Sequence, residues 1–457
     1  MKKAFIKIAG LISFLYVNPL AAQQGVVKVL NLQECINIGL DHSTAVLKGN
    51  NYVAQAGAQV LAAYGQYLPN LVAAAGYNYD RGNNLFSSAG FTLVNENRSQ
   101  FNYQLTSSLN IFAGNYNNAN SRAAKLNLQA SNLTLERAKQ QITLDITQSY
   151  LQVILDKRIV ALDSNNLSTS LKREEQLTML TEVGRKAKTD LYQQQAQTSS
   201  DKLLYINAQS RMQNDKILLF QKLRIDSSDN YDIADIPIDD NADAAHYANK
   251  DMLVQTALQD RVDLQSANLN VESANWITKK YRSGYLPTVS LAAGLYNSGA
   301  YFNSLTVNGV DSKPADQAAI PTQLYKYTYG IAGINASWNI FDRYYTKSNV
   351  RIAKLNADNA RIDKQDTEIA IVSNVKQAYN DYVNAVQQME TVDKGLMAAQ
   401  KAYEAVNGKY KEGASDFITE ANAQLVLLQA GQSKVQASVN MMLQKKVIDY
   451  YVGANAR

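Results

Sequence analysis

Two kinds of periodicity alternate along the chain. From Asn115 to Val183 there are 69 residues with neither Gly nor Pro, and apolar positions recur in that run at helical spacing. Ile142, Ile146, Tyr150 and Val153 form one stripe, while Leu144, Leu151, Leu155 and Leu162 form another on nearly the opposite side. An unbroken helix of that size reaches roughly 100 Å at about 1.5 Å per residue, far too long for a compact domain. A helix of an ordinary bundle shows one apolar face. Two stripes suit a helix with neighbours on both flanks, as in the wall of a helical cylinder; an ordinary long coiled coil is the alternative.

Four shorter stretches have a period of two. Leu71, Ala73, Ala75, Tyr77 and Tyr79 alternate after "YLP" at Tyr67, and Phe101, Tyr103, Leu105, Leu109 and Ile111 follow in "FNYQLTSSLNIF". Val289, Leu291, Ala293 and Leu295 alternate after "YLP" at Tyr285, followed by Ile334, Ala336, Trp338 and Ile340. Tyr327, Tyr329 and Ile331 are out of phase with that last set, which predicts a bulge or late strand start near Gly333. The intervening "DRGNNLFSSAGFTLVNENRSQ" and "NSGAYFNSLTVNGVDSKPADQAAIPTQ" read as loops rich in Gly, Asn and Ser. The pattern thus predicts two hairpins entered at Pro69 and Pro287 and left at Phe112 and Phe341, with strands of about 10 to 12 residues, the length that crosses a bilayer when tilted.

These elements occur twice in the same order. "YLPNLVAAAGYNY" at Tyr67 returns as "YLPTVSLAAGLYN" at Tyr285, 218 residues on, and "LNIFAGNYNNANSRAAKLN" at Leu109 matches "WNIFDRYYTKSNVRIAKLN" at Trp338, 229 residues on. Gly184 falls on Gly413 at the second offset. Such self-similarity predicts two halves of common ancestry. The expected organisation is a leader over 1–22, a first repeat over 23–236 (hairpin about 70–112, long helices about 115–228) and a second over 237–457 (hairpin about 287–341, long helices about 342–452).

Composition narrows the function classes. The start "MKKAFIKIAGLISFLYVNPLAAQQ" carries Lys2, Lys3 and Lys7, an apolar run closing at Asn18-Pro19, and small residues at Ala21 and Ala22. This is the layout of a secretory signal peptide; a membrane anchor is the weaker reading because the run is short. Without those three lysines the formal charge of +5 falls to +2, which gives a nucleic-acid role no support. Cys35 is the only cysteine, so no intrachain disulfide framework is expected. His42 and His246 are the only histidines, too few for a histidine-based metal site or triad. No phosphate loop, nucleophile elbow or ligand cluster stands out, so neither enzyme chemistry nor a cofactor is expected.

Four strands cannot close a barrel, and open edges in lipid leave several kcal/mol of unmet hydrogen bonding per group. The chain is expected to pool strands with copies of itself, three copies giving twelve. A trimeric surface coiled coil with an adhesive role is a competing class, but the duplicated hairpin argues against it.

At this point the chain resembles the TolC-type outer-membrane efflux channel family. The resemblance rests on "LNLQECINIGL" near the mature start, "RVDLQSANLNVESAN" at Arg261, both "YLP" entries, both "NIF" exits, and the glycines of "VGRKAKTDL" and "YKEGASDFITEANAQ". It implies a membrane α+β fold: a homotrimer whose 12-stranded transmembrane β-barrel, four strands per chain, continues into a long periplasmic α-helical barrel. It also implies an exit duct in the outer membrane of a Gram-negative bacterium, surrounded by outer-membrane lipid. Such a duct serves a tripartite efflux pump, fed through a periplasmic membrane-fusion adaptor protein by an inner-membrane transporter of the RND or ABC type. A type I protein-secretion channel of the same fold is the alternative.

Gly184 and Gly413 follow long helical stretches and are natural reversal points, because Gly accepts the left-handed conformation that ends a helix. The resemblance makes Val183, Gly184, Arg185, Glu412, Gly413 and Ala414 adaptor contacts; the family often has a small or apolar residue where Arg185 stands. It also implies a constriction beyond the second turn. Asn422 stands where an aspartate is common, with Thr419 one turn earlier. Asp416 and Glu420, at i and i+4, are expected on one helical line that threefold symmetry repeats as a cation-favouring ring. Plain turn residues and a solvated helix end are the alternatives.

Overall fold

The computed structural model describes residues 28–86, 92–226, 231–237, 247 and 249–453. The expected leader and His246 lie outside the described residues. The helices are α1 (Leu32–His42), α2 (Thr44–Gly65), α3 (Tyr116–Glu182), α4 (Lys188–Leu223), α5 (Lys250–Asp260), α6 (Val262–Arg282), α7 (Ile320–Lys326), α8 (Tyr345–Lys411) and α9 (Phe417–Val452). The strands are β1 (Lys28–Leu30), β2 (Val72–Phe86), β3 (Thr92–Ala113), β4 (Tyr231–Ile233), β5 (Thr288–Val307), β6 (Val310–Asp311) and β7 (Tyr329–Ser337). The repeat is visible in lengths: α3 and α8 each have 67 residues, and α4 and α9 each have 36. The insertion in the second copy therefore falls in its hairpin.

The long Gly- and Pro-free run folds as the single helix α3. Its threonines do not break it, because Thr143, Thr147 and Thr178 turn their hydroxyls back onto the carbonyls of Lys139, Thr143 and Glu174. Ile146, Tyr150 and Val153 of one stripe and Leu151 of the other are all buried, as a helix flanked on two sides requires.

The described residues fall into two compact units, those within 1–38 and 149–237 and those within 39–148 and 238–457. In the first, β1 and β4 pair in parallel, Leu30 opposite Ile233. The Tyr150 hydroxyl of α3 donates to the Ala234 carbonyl at 2.6 Å. Leu30, Ile233, Leu219, Phe220 and Leu223 are fully buried.

In the second unit β2, β3 and β5 form an antiparallel sheet in that order, and β5 carries β7 and the short β6 on its other edge. The four main strands have 15, 22, 20 and 9 residues. This corrects two expectations. The stretches read as loops carry strand over 80–86 and 92–100 in the first copy and over 297–307 and 310–311 in the second. Their Asn and Gly residues are poor strand formers alone, but cross-strand partners hold them: Asp80 pairs with Arg98 and Asn84 with Glu96. The bulge expected near Gly333 is also absent, since β5 and β7 keep one register from Thr288↔Ser337 to Tyr296↔Tyr329. The register shifts lie between β3 and β5, at Asn97/Arg98 and Asn110/Phe112. Ile331 and Ile334 are exposed on opposite faces of one continuous strand, and that two-sided apolar pattern imitates a phase change.

Above Tyr329 the outer edge of β5 is met by side chains. The Gln323 amide accepts from Ala300 N (2.9 Å) and donates to Ala300 O (2.7 Å), and the Gln317 amide does the same at Phe302 (2.6 and 3.0 Å). Asn297 Nδ2 donates to the Leu324 carbonyl at 2.9 Å and so fixes α7 beside the strand. The helical core of this unit gathers Ala257, Leu264, Ile371, Val375, Tyr382 and Ile448. It continues between α8 and α9 with Ala385, Met389, Ala437 and Met441.

Candidate functional site

Two helix reversals share one construction. Gly184, between α3 and α4, has φ 74°, and Gly413, between α8 and α9, has φ 76°. In the first turn Arg185 N donates to Leu180 O at 2.8 Å and Gly184 N to Thr181 O at 3.1 Å; in the second Ala414 N donates to Lys409 O at 2.8 Å and Gly413 N to Tyr410 O at 3.1 Å. This is the glycine-terminated motif that satisfies the last carbonyls of a helix. A Cβ on either glycine would meet nothing within 4 Å, so φ alone makes glycine the fitting residue. Val183, Gly184 and Arg185 are exposed in the first unit, and Glu412, Gly413 and Ala414 in the second.

The start of α9 corrects the expected acidic line. Helix α9 begins at Phe417, and Asp416 before it is extended (φ −87°, ψ 165°). Its carboxylate caps the helix by accepting from Thr419 N at 2.7 Å and Thr419 Oγ1 at 2.9 Å. The backbone N–H of Thr419, then its hydroxyl, hold the Asp416 carboxyl below its ordinary range. Glu420 is 0% exposed. The two acids therefore share no solvent-facing line; Asp416, Thr419 and Asn422 are the exposed members of the set.

The strand ends mark a second surface. Pro287 stands immediately before β5, Pro69 shortly before β2, Phe112 is the penultimate residue of β3, and Phe341 lies beyond β7. The junction from β3 to α3 carries Gly114 and Asn115 at φ 60° and 72°, and the junction from β7 to α8 carries Arg343 and Tyr344 at φ 56° and 66°. Sequence reading missed this pair, although the alignment of "FAGNY" with "FDRYY" places Arg343 on Gly114 and Tyr344 on Asn115.

Alternation divides the sheet into two faces. Ala73, Leu105 and Leu295 share one cross-strand row, and Leu109, Leu291 and Ile334 another. Leu105, Leu291, Leu295 and Ile334 are exposed. Exposed aromatics lie toward both ends of the sheet, with Trp338, Phe341, Tyr344 and Tyr345 between β7 and the start of α8, and Tyr77 in β2 with Tyr325 and Tyr327 ahead of β7 at the other end. The opposite face carries Asn102, Gln104 and Ser298, with Arg98 2.9 Å from Asp80 and 3.9 Å from Glu96. Among the described residues no helix is long and apolar enough to cross a membrane.

The family model "Outer membrane efflux protein" matches residues 36–223 and 253–447. Outer membrane protein TolC of Escherichia coli K12 is 20% identical over 84% of this chain and 74% of that protein; the Vibrio cholerae protein of that name is 23% identical over 82% and 80%. Among solved structures, the outer membrane protein VceC of Vibrio cholerae superposes with TM-score 0.75 at 15% identity, covering 92% of this chain and 96% of VceC. The outer membrane channel CmeC of Campylobacter jejuni gives 0.73 at 17% identity over 92% and 85%. With its two matched segments covering both hairpins and nearly all of both pairs of long helices, the chain belongs to the outer membrane efflux protein family, and is a TolC-like outer-membrane channel that conducts passively rather than an enzyme.

Proposed function

We propose that this chain is the outer-membrane exit duct of a tripartite efflux pump and works as a homotrimer. The observation that carries this reading is the sheet β2-β3-β5-β7, which has an uncovered apolar face and free backbone along its two outer strands. Each unpaired peptide group in lipid costs several kcal/mol, and a copy of β2 set against β7 removes both edges at once. Each repeat, 23–236 and 237–457, supplies one hairpin, and three copies supply twelve strands. The polar face with Asn102, Gln104 and Ser298 lines the duct.

The reversals at Val183–Arg185 and Glu412–Ala414 meet the periplasmic adaptor, and Asp416, Thr419 and Asn422 border the constriction with Glu420 behind them. Cargo is chosen by the inner-membrane transporter. Expression in a strain lacking its own channel tests this reading. Heat-labile trimers, single-channel currents and restored resistance to small toxic compounds are expected. A monomer without conductance overturns the duct. Restored export of a polypeptide without restored resistance assigns the chain to type I secretion instead.

A further inference from the structure

The seam between α3 and α4 is built from polar residues at heptad spacing. Asp156 of α3 faces Asp215 of α4, carboxyl to carboxyl. Fourteen residues along each helix, Ser170 donates to the Asp201 carboxylate. This antiparallel register places Asp163 opposite Ala208 between those layers and Leu177 opposite Gln194 beyond them, and all of these except the partly buried Asp215 are buried. The corresponding seam between α8 and α9 is filled with Ala385, Met389, Ala437 and Met441. Two helix pairs of equal length and common descent therefore differ at the positions that hold them together.

We propose that Asp156 and Asp215 form a proton-binding site that clasps the α3–α4 hairpin. With one proton between them, one carboxyl donates to the other; without it, two like charges oppose each other inside the seam. Asp156 is 2% exposed, and its Oδ2 has no conventional hydrogen-bond donor. From its own helix it faces Gln152, whose Nε2 lies 3.5 Å from Oδ1. From α4 it faces Asp215 and Arg211, whose charge opposes protonation without outweighing burial and Asp215. The adjoining cations are engaged elsewhere: Lys157 lies 3.0 Å and Lys216 3.7 Å from Asp232 of β4. Burial first, then the hydrogen bond and charge of Asp215, push the Asp156 carboxyl up to about 7. A raised carboxyl value means that the closed seam holds a proton the open seam releases. The proton's contribution to closure is complete below the ordinary carboxylate value of the open seam, declines as pH rises from there, and is gone once pH has passed about 7.

The site is independent of the pump reading, and full-length protein in detergent tests it. Infrared difference spectra of the wild type should show a protonated-carboxyl carbonyl band titrating near neutrality, absent from D156N and from D215N. Hydrogen exchange, corrected for intrinsic rates, should show protection along α3–α4 falling by up to about tenfold per pH unit as pH rises from the ordinary carboxylate range toward the midpoint and levelling off above it, with α8–α9 as an internal control and D156N flat. A wild-type band titrating only in the ordinary carboxylate range, a band retained in both variants, or α3–α4 protection that follows α8–α9 would overturn the proposal. The wild-type measurements decide even if both variants misfold.

Discussion

Arg343 occupies the place that Gly114 holds one repeat earlier and adopts the same left-handed backbone, φ 56° against 60°. A side chain in that region costs on the order of 1–2 kcal/mol. Arg343→Gly should therefore stabilise the second junction by about 1 kcal/mol, seen as a higher thermal midpoint. Gly114→Ala should do the opposite and cost more than conformation alone, because its Cβ would lie 2.6 Å from the Ser283 carbonyl oxygen. Equal effects from the two substitutions would disprove the backbone argument.

At the helix reversals the space around the glycines is open, so substitutions are sorted by φ and not by size. Gly184→Ala and Gly413→Ala should each cost roughly 1–2 kcal/mol of local stability, while the asparagine variants should cost less because Asn tolerates the left-handed region. Limited proteolysis at each turn reads the ranking; alanine and asparagine behaving alike would contradict it.

Tyr150 ties α3 to the segment after β4. Burial pushes its hydroxyl up to about 12, so it remains a donor across ordinary pH. Tyr150→Phe leaves the Ala234 carbonyl without this donor and should cost about 1–3 kcal/mol. Hydrogen exchange should show the loss at residues 231–237 before it appears elsewhere.

Cys35 is fully buried, and burial, with a smaller contribution from Glu34, pushes its thiol up to about 12 from 9.0. The folded chain should resist alkylation at about pH 8 and become reactive once denatured. The sign follows from the same shift: the fold keeps a proton that the unfolded chain releases above about pH 9, so Cys35 favours folding less as pH rises beyond that. Rapid labelling of native protein would refute its burial.

On the polar face of the sheet Arg98 offsets Asp80 and Glu96. Arg98→Ala removes one positive charge and leaves both acids, so the reversal potential under a salt gradient should shift toward cation preference. An unchanged potential would place this face outside the conducting path.

Much of this architecture was legible because its strongest signals are long. A run free of Gly and Pro became α3, and Gly184 and Gly413 closed the turns they punctuate. The acidic pair at Asp416 and Glu420 misled because an i,i+4 rule presumes both residues lie within one helix, whereas Asp416 caps it from outside. Strand lengths were hidden because Asn and Gly residues that signal a loop singly are held by partners across the ribbon, a non-local fact. The seven-residue spacing of Asp156 and Asp163 was in plain view. Its meaning needed the register of α4, which periodicity in one helix does not supply.

The glutamine clasps at Ala300 and Phe302 begin where the backbone pairing of β5 with β7 ends. Below Tyr329 the seam is backbone, whose pattern is indifferent to side-chain identity. Above it the rim is tailored from individual amides, so its outline can be recut one residue at a time without slipping a strand. The stretch of β5 beyond Tyr296 is thereby free to vary while the stretch paired with β7 stays in register.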